Sequence, residues 1–117
     1  MRNLFGIKLR KLRQFRGLSA NELARRLGHA SHSYVSDIEQ GAFVPPKKKL
    51  KQLAKALEVP EVLLEDMALE ARIEALGIQQ PELVSMFKDL PKLSQRDKRA
   101  IIATYQTIKR KHGTRGG

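Results

Sequence analysis

GLSANELARRLG at Gly17–Gly28 and, two residues further on, SHSYVSDIEQG at Ser31–Gly41 decide how this chain folds. Ser19 stands where a helix N-cap accepts from the backbone, and Glu22, three residues on, is the reciprocal partner of a capping box. Leu23, Ala24 and Leu27 make one apolar stripe, and Gly28 is placed to end that helix in the left-handed region. Ser31 can cap the next helix, whose Tyr34, Val35 and Ile38 fall at i, i+1 and i+4 and face inward, leaving His32, Ser33, Ser36 and Asp37 outside. Helices joined by so short a turn cannot lie antiparallel. They cross steeply and leave the second proud of the surface, a shape that fits the major groove of DNA.

Outward from that centre the pattern stays helical. Leu9, Leu12 and Phe15 lie three apart and mark the inner face of a first helix that stops at Gly17. Pro45-Pro46 closes the loop after Gly41, with Pro46 suited to a first helical turn. Leu50, Leu53, Ala54 and Leu57 form the buried face of a fourth helix, and Val62, Leu63, Met67, Ala71 and Leu76 continue a fifth toward Gly77. Gln80-Pro81 opens a short sixth helix with Leu83, Val84 and Phe87, and Leu90-Pro91 breaks it. Ser94 and Asp97 cap a last helix with Ile101, Thr104, Tyr105 and Ile108 at i, i+3, i+4 and i+7, ended by Gly113. No strand pattern and no internal repeat emerges, so the expected class is all-α.

The 117 residues carry a formal net charge of +11 and no cysteine, which removes disulfides, thiol catalysis and thiolate zinc sites together. Residues 1–57 hold 13 Lys+Arg against 3 Asp+Glu, residues 58–97 hold 4 against 9, and residues 98–117 hold 6 against none. Positive charge therefore sits on the crossing helices and on the C-terminal end, while the middle faces something other than phosphate. No apolar run approaches the ~18 residues of a membrane span, and no signal-peptide segment opens the chain. A cytoplasmic protein with no membrane partner is expected.

The chain resembles the helix-turn-helix family of phage repressors and Cro proteins, the XRE or Cro/C1 family. The residues that carry the resemblance are GLSANELARRLG, SHSYVSDIEQG and LKQLAKALEV at Leu50–Val59. About half the chain is covered, in family order, with a turn before Ser31 one residue longer than in the shortest phage repressors. The resemblance implies a five-helix, lambda-repressor-like DNA-binding domain at residues 4–76. It points to the positions that the outward arc of the third helix also selects for base contacts: His32, Ser33 and Asp37, with Ser36 at the arc's edge. Histidine can donate to guanine N7 or O6, and Asp37 can accept from cytosine N4 or simply order a basic neighbour. Ser31 reads as an N-cap able to share its site with a phosphate. Tyr34 reads as a core residue whose hydroxyl can reach the interface edge. Lys47, Lys48 and Lys49 follow where resembling repressors hold the DNA backbone. Arg13 and Glu39 match a structural ion pair of those repressors that joins the first helix to the end of the third.

Catalysis is not expected. His29, His32 and His112 lack partners at metal-ligand spacing, and there is no P-loop, no GxGxxG and no nucleophile motif, so neither a metal nor a cofactor is implied. The last two helices exceed what a five-helix domain needs, which makes residues 77–112 an extension for dimerisation or partner binding, with Ile101, Tyr105 and Ile108 as its interface and 113–117 a disordered tail. The leading expectation is a transcriptional repressor that binds a two-fold operator in double-stranded DNA as a homodimer. The alternatives are a repressor or antitoxin whose C-terminal helices bind a companion protein (a toxin or peptidase), and a non-specific architectural binder.

Overall fold

A computed structural model of the chain describes residues 3–112. The described residues are all-α: α1 Leu4–Phe15, α2 Ala20–Arg26, α3 Ser33–Glu39, α4 Lys47–Leu57, α5 Glu61–Ala75, α6 Pro81–Asp89 and α7 Gln95–His112, with a single 3-10 turn, Leu90–Lys92, before α7. The tail expected at 113–117 and the stop at Gly113 lie outside them.

Local chemistry sets the helix ends. The Asn3 side chain accepts from the Gly6 amide at 2.8 Å and starts α1. Ser19 and Glu22 form both halves of the capping box, the Glu22 amide donating to Ser19 Oγ at 3.0 Å and the Ser19 amide to Glu22 Oε1 at 3.1 Å. The bond from the Ser19 amide, then the Ser19 hydroxyl, holds the Glu22 carboxyl below the usual carboxylate range. Gly28, at φ 84°, turns the chain out of α2 so that the His29 amide can reach the Ala24 carbonyl at 2.9 Å. At the end of α4 the same left-handed role falls to Glu58, at φ 57°. Arg26 lies beside it and donates to the Ala56 carbonyl at 2.8 Å, satisfying one of the last acceptors of α4.

One core joins α1 to α5. Phe5 and Leu9 of α1, Leu23 of α2, Val35 and Ile38 of α3, Leu53 and Leu57 of α4 and Leu64 of α5 are all fully buried in it. Each such side chain contributes roughly 1.5–3 kcal/mol relative to exposure. Gly6 sets how closely α1 approaches α3, since a Cβ there would stand 2.5 Å from the Ile38 carbonyl oxygen and 2.7 Å from that of Glu39. Nothing in the hydrophobic spacing of α1 points to this contact.

Several expectations need correction. Phe15 is 83% exposed, because successive steps of three lag the helical period and carry it off the face that Phe5 and Leu9 occupy at a spacing of four. In α5 Leu64, Met67, Ala68 and Ala71 turn to the core and Ile73 is buried as well, while Val62, Leu63 and Leu76 lie at the surface. Pro46 is the N-cap of α4 and lies outside its first turn. Ser31 is not the N-cap of α3: His32 holds that place without a side-chain capping bond, and Ser31 is one residue further out.

Part of the acidic middle is tied down within the fold. Glu70 accepts from Lys8 at 2.7 Å and from Lys88 at 2.8 Å, and Lys88 also pairs with Asp66 at 3.0 Å, which links α1, α5 and α6. The bond from Lys8, then that from Lys88, holds the Glu70 carboxyl down at about 2. The α6 helix rests on α5, whereas α7 is not packed along any of the first five helices and buries no residue.

Candidate nucleic-acid interface

A clamp built from α1 positions α3. Arg13 Nε donates to Glu39 Oε2 at 2.6 Å and its Nη2 to Oε1 at 3.0 Å, while Nη1 donates to the Leu18 carbonyl at 2.9 Å. One guanidinium thus holds the last residue of α3 and the α1–α2 turn together. Both side chains are nearly buried, at 12% and 9% exposure, and the bond to Glu39 raises the Arg13 pKa above its ordinary value.

With Val35, Ile38 and Glu39 buried, the opposite side of α3 is left to polar groups. His32, Ser33 and Asp37 are exposed and Ser36 is half-buried. His32 Nδ1 lies 2.9 Å from Ser36 Oγ, so those two act as one unit and the ring's orientation is fixed. Ser31 Oγ donates to Ser33 Oγ at 3.1 Å and accepts from the Ser33 amide at 3.4 Å, which keeps it against the helix start.

Tyr34 is half-buried. Its ring stacks on His29 with centroids 4.7 Å apart and meets Phe43 at 5.8 Å, so it braces the turn before α3 against the loop after it. Burial raises the Tyr34 hydroxyl pKa. His29 and Phe43 are parts of the site that sequence reasoning did not assign, because neither lies on a periodic face. The same holds for Arg10 and Gln40, which with Ala20 and Ser36 border a polar recess of about 220 Å³ over the Arg13–Glu39 pair.

The lysine run divides by helical phase. Lys47 and Lys48 are exposed in the first turn of α4, whereas Lys49, half-buried, borders a groove between α2 and α4 with Arg26, Gln52 and Lys55. Far along the chain, Ile101 and Tyr105 line a different surface, an apolar groove of about 520 Å³ closed on its other side by Met86, Phe87 and Leu90. Ile108 lies one turn beyond and is exposed. These three residues share a face of α7 but belong to no surface near α3. Among the described residues no group of His, Asp and Glu is arranged to hold a metal ion, and no helix is long and apolar enough to cross a membrane.

Compared with known protein families, residues 4–67 match one described as a helix-turn-helix domain, rather more than half of the chain. The matched stretch begins with α1 and ends inside α5. No curated protein and no solved structure matches.

Proposed function

The chain belongs to the helix-turn-helix domain family, a DNA-binding fold, and from that premise we propose that it is a Cro/C1-type transcriptional repressor that reads a two-fold operator as a homodimer. The observation that carries the reading is the outward face of α3, polar throughout its exposed arc and rigidly aimed by the Arg13 clamp. On this reading the start of α3 enters the major groove, where His32, Ser33 and Asp37 meet base edges. Ser36 orients the His32 ring through Nδ1, which directs Nε2 toward a guanine acceptor. Ser31, Tyr34 and the lysines Lys47, Lys48 and Lys49 hold flanking phosphates.

Helix electrostatics supports the last assignment. Three cations in the first turn of α4, with no side-chain cap at Pro46, oppose the helix dipole by roughly 0.3–1 kcal/mol each when nothing anionic is present. A phosphate at that end removes the penalty and meets free backbone amides as well. Two such readers spaced about one DNA turn apart, roughly 34 Å, require the two-fold assembly that α7 provides through Ile101, Tyr105 and Ile108.

Selection of bound sequences from random duplex DNA tests the proposal, and a palindromic motif is the expected product. On the best duplex, His32→Ala lowers affinity by about 1–3 kcal/mol, with a much smaller loss on random DNA, because only a base contact carries discrimination. Equal losses on both duplexes, or no motif at all, would leave a non-specific binder in its place.

A further inference from the structure

Most of the large apolar side chains left exposed lie on two helices that do not pack against each other within one chain. Val62, Leu63 and Leu76 are on α5 and its C-cap, and Ile102, Tyr105 and Ile108 are on α7. Each helix carries an apolar stripe along one side. Val62, half-buried Leu69 and Leu76 recur every seven residues, and Ile101, Tyr105 and Ile108 follow the spacing i, i+4, i+7.

Their charges are opposite. On α7, Arg96, Lys98, Arg99, Lys109, Arg110 and Lys111 stand against Asp97 alone. On α5, five acidic residues stand against Arg72. Asp66 and Glu70 are engaged by Lys8 and Lys88, but Glu61 and Glu65, which flank the Val62–Leu69–Leu76 stripe, have no ion-pair partner among the described residues. Two α7 helices seated face to face would oppose like charges along the seam, an arrangement that repels. An α7 against an α5 joins an apolar seam to an apolar seam and a basic rim to an acidic one.

We propose that each α7 seats on the outer face of α5 in a second copy of the chain, so that two reciprocal α5–α7 pairs close a two-fold dimer. In such an isologous contact both pairs form at once, and neither seam stays exposed. Met86, Phe87 and Leu90 extend the apolar surface beside α7. This inference rests on the homodimer proposed above and states which surfaces make it.

Charge reversal on each side tests it with the full chain. Glu61→Lys with Glu65→Lys makes the edge of the α5 stripe basic in one variant, and Lys98→Glu with Lys109→Glu makes the edge of the α7 stripe acidic in the other. Each variant alone should dimerise about 100-fold more weakly than the unaltered protein. An equimolar mixture should recover the dimer, because both α5–α7 pairs in the mixed species are again of opposite charge. Circular dichroism checks that both variants are folded. An unaltered chain that sediments as a monomer at micromolar concentration overturns the proposal. So does an α5 variant that dimerises normally, as an α7–α7 contact or an acidic partner protein on α7 would allow, or a mixture that stays monomeric. Binding of each monomeric variant to a single half-site duplex is read separately: retained binding leaves the DNA reader standing whichever way the dimer test falls.

Discussion

Leu53 and Ile108 are both aliphatic residues on the stripe of an amphipathic helix, and they end in opposite environments. Leu53 is fully buried where α4 meets the core, and Ile108 is 53% exposed on α7. The two helices differ in what surrounds them. Around α4 the chain places α2 and α5, which close the core on it, whereas α7 follows a proline-broken turn, shares only an open groove with α6 and buries no residue. An apolar stripe therefore shows that a helix needs a partner, and it does not say whether the partner is in the same chain.

The sharpest way to break the contrast is within the clamp of the five-helix body. Arg13→Ala leaves Glu39 nearly buried without its counter-charge and should cost about 3–5 kcal/mol in chemical unfolding. If the loss were below ~1 kcal/mol, the body would be less tightly specified than its burial indicates. A direct comparison comes next. Leu53→Ala should destabilise by about 2–5 kcal/mol, while Ile108→Ala, measured dilute enough to keep the chain monomeric, should change stability by less than about 0.5 kcal/mol. Equal effects would mean that α7 is part of the same core.

Gly6→Ala should cost roughly 1–3 kcal/mol, because the new methyl meets two carbonyl oxygens of α3 and forces the helices apart. A smaller loss concerns the ion pairs that join body to α6. Glu70→Gln should cost about 1 kcal/mol or less at neutral pH, since the Glu70 network is partly exposed. Its pH signature is more telling. With the folded pKa lowered to about 2 from an ordinary 4.5, the Glu70 carboxylate contributes stability that is fully present above the ordinary value and is lost as pH falls toward 2. Acid unfolding curves of the Glu70→Gln variant should be correspondingly flatter across that window.

What could be read from residue order follows the same division. The capping box of Ser19 and Glu22, the turn at Gly28 and the buried face Leu50, Leu53, Ala54 and Leu57 are local patterns, and local geometry realises them. Errors arose where a neighbour chooses between two apolar faces. Val62, Leu63 and Leu76 are as hydrophobic as Leu64 and Ala68, and only the position of α1 and α4 turns the second set inward. Gly6, the Glu70 network and the His29–Tyr34 stack were illegible because each depends on residues far apart in the chain or off any periodic face. At the candidate interface, outward-facing residues could be identified by helical phase alone. The brace that fixes Tyr34 and the bond between His32 and Ser36 needed coordinates.

The three-way grip of Arg13 has a consequence for control. Because one guanidinium holds Glu39 and the Leu18 carbonyl together, re-aiming α3 means losing the clamp, at about 3–5 kcal/mol. Allosteric coupling between distant sites typically amounts to ~1–3 kcal/mol. A coupling of ordinary strength is therefore too small to tilt α3 against the body. On the proposed two-fold reading, control of affinity then falls on where two rigid heads are carried relative to each other, the register between readers.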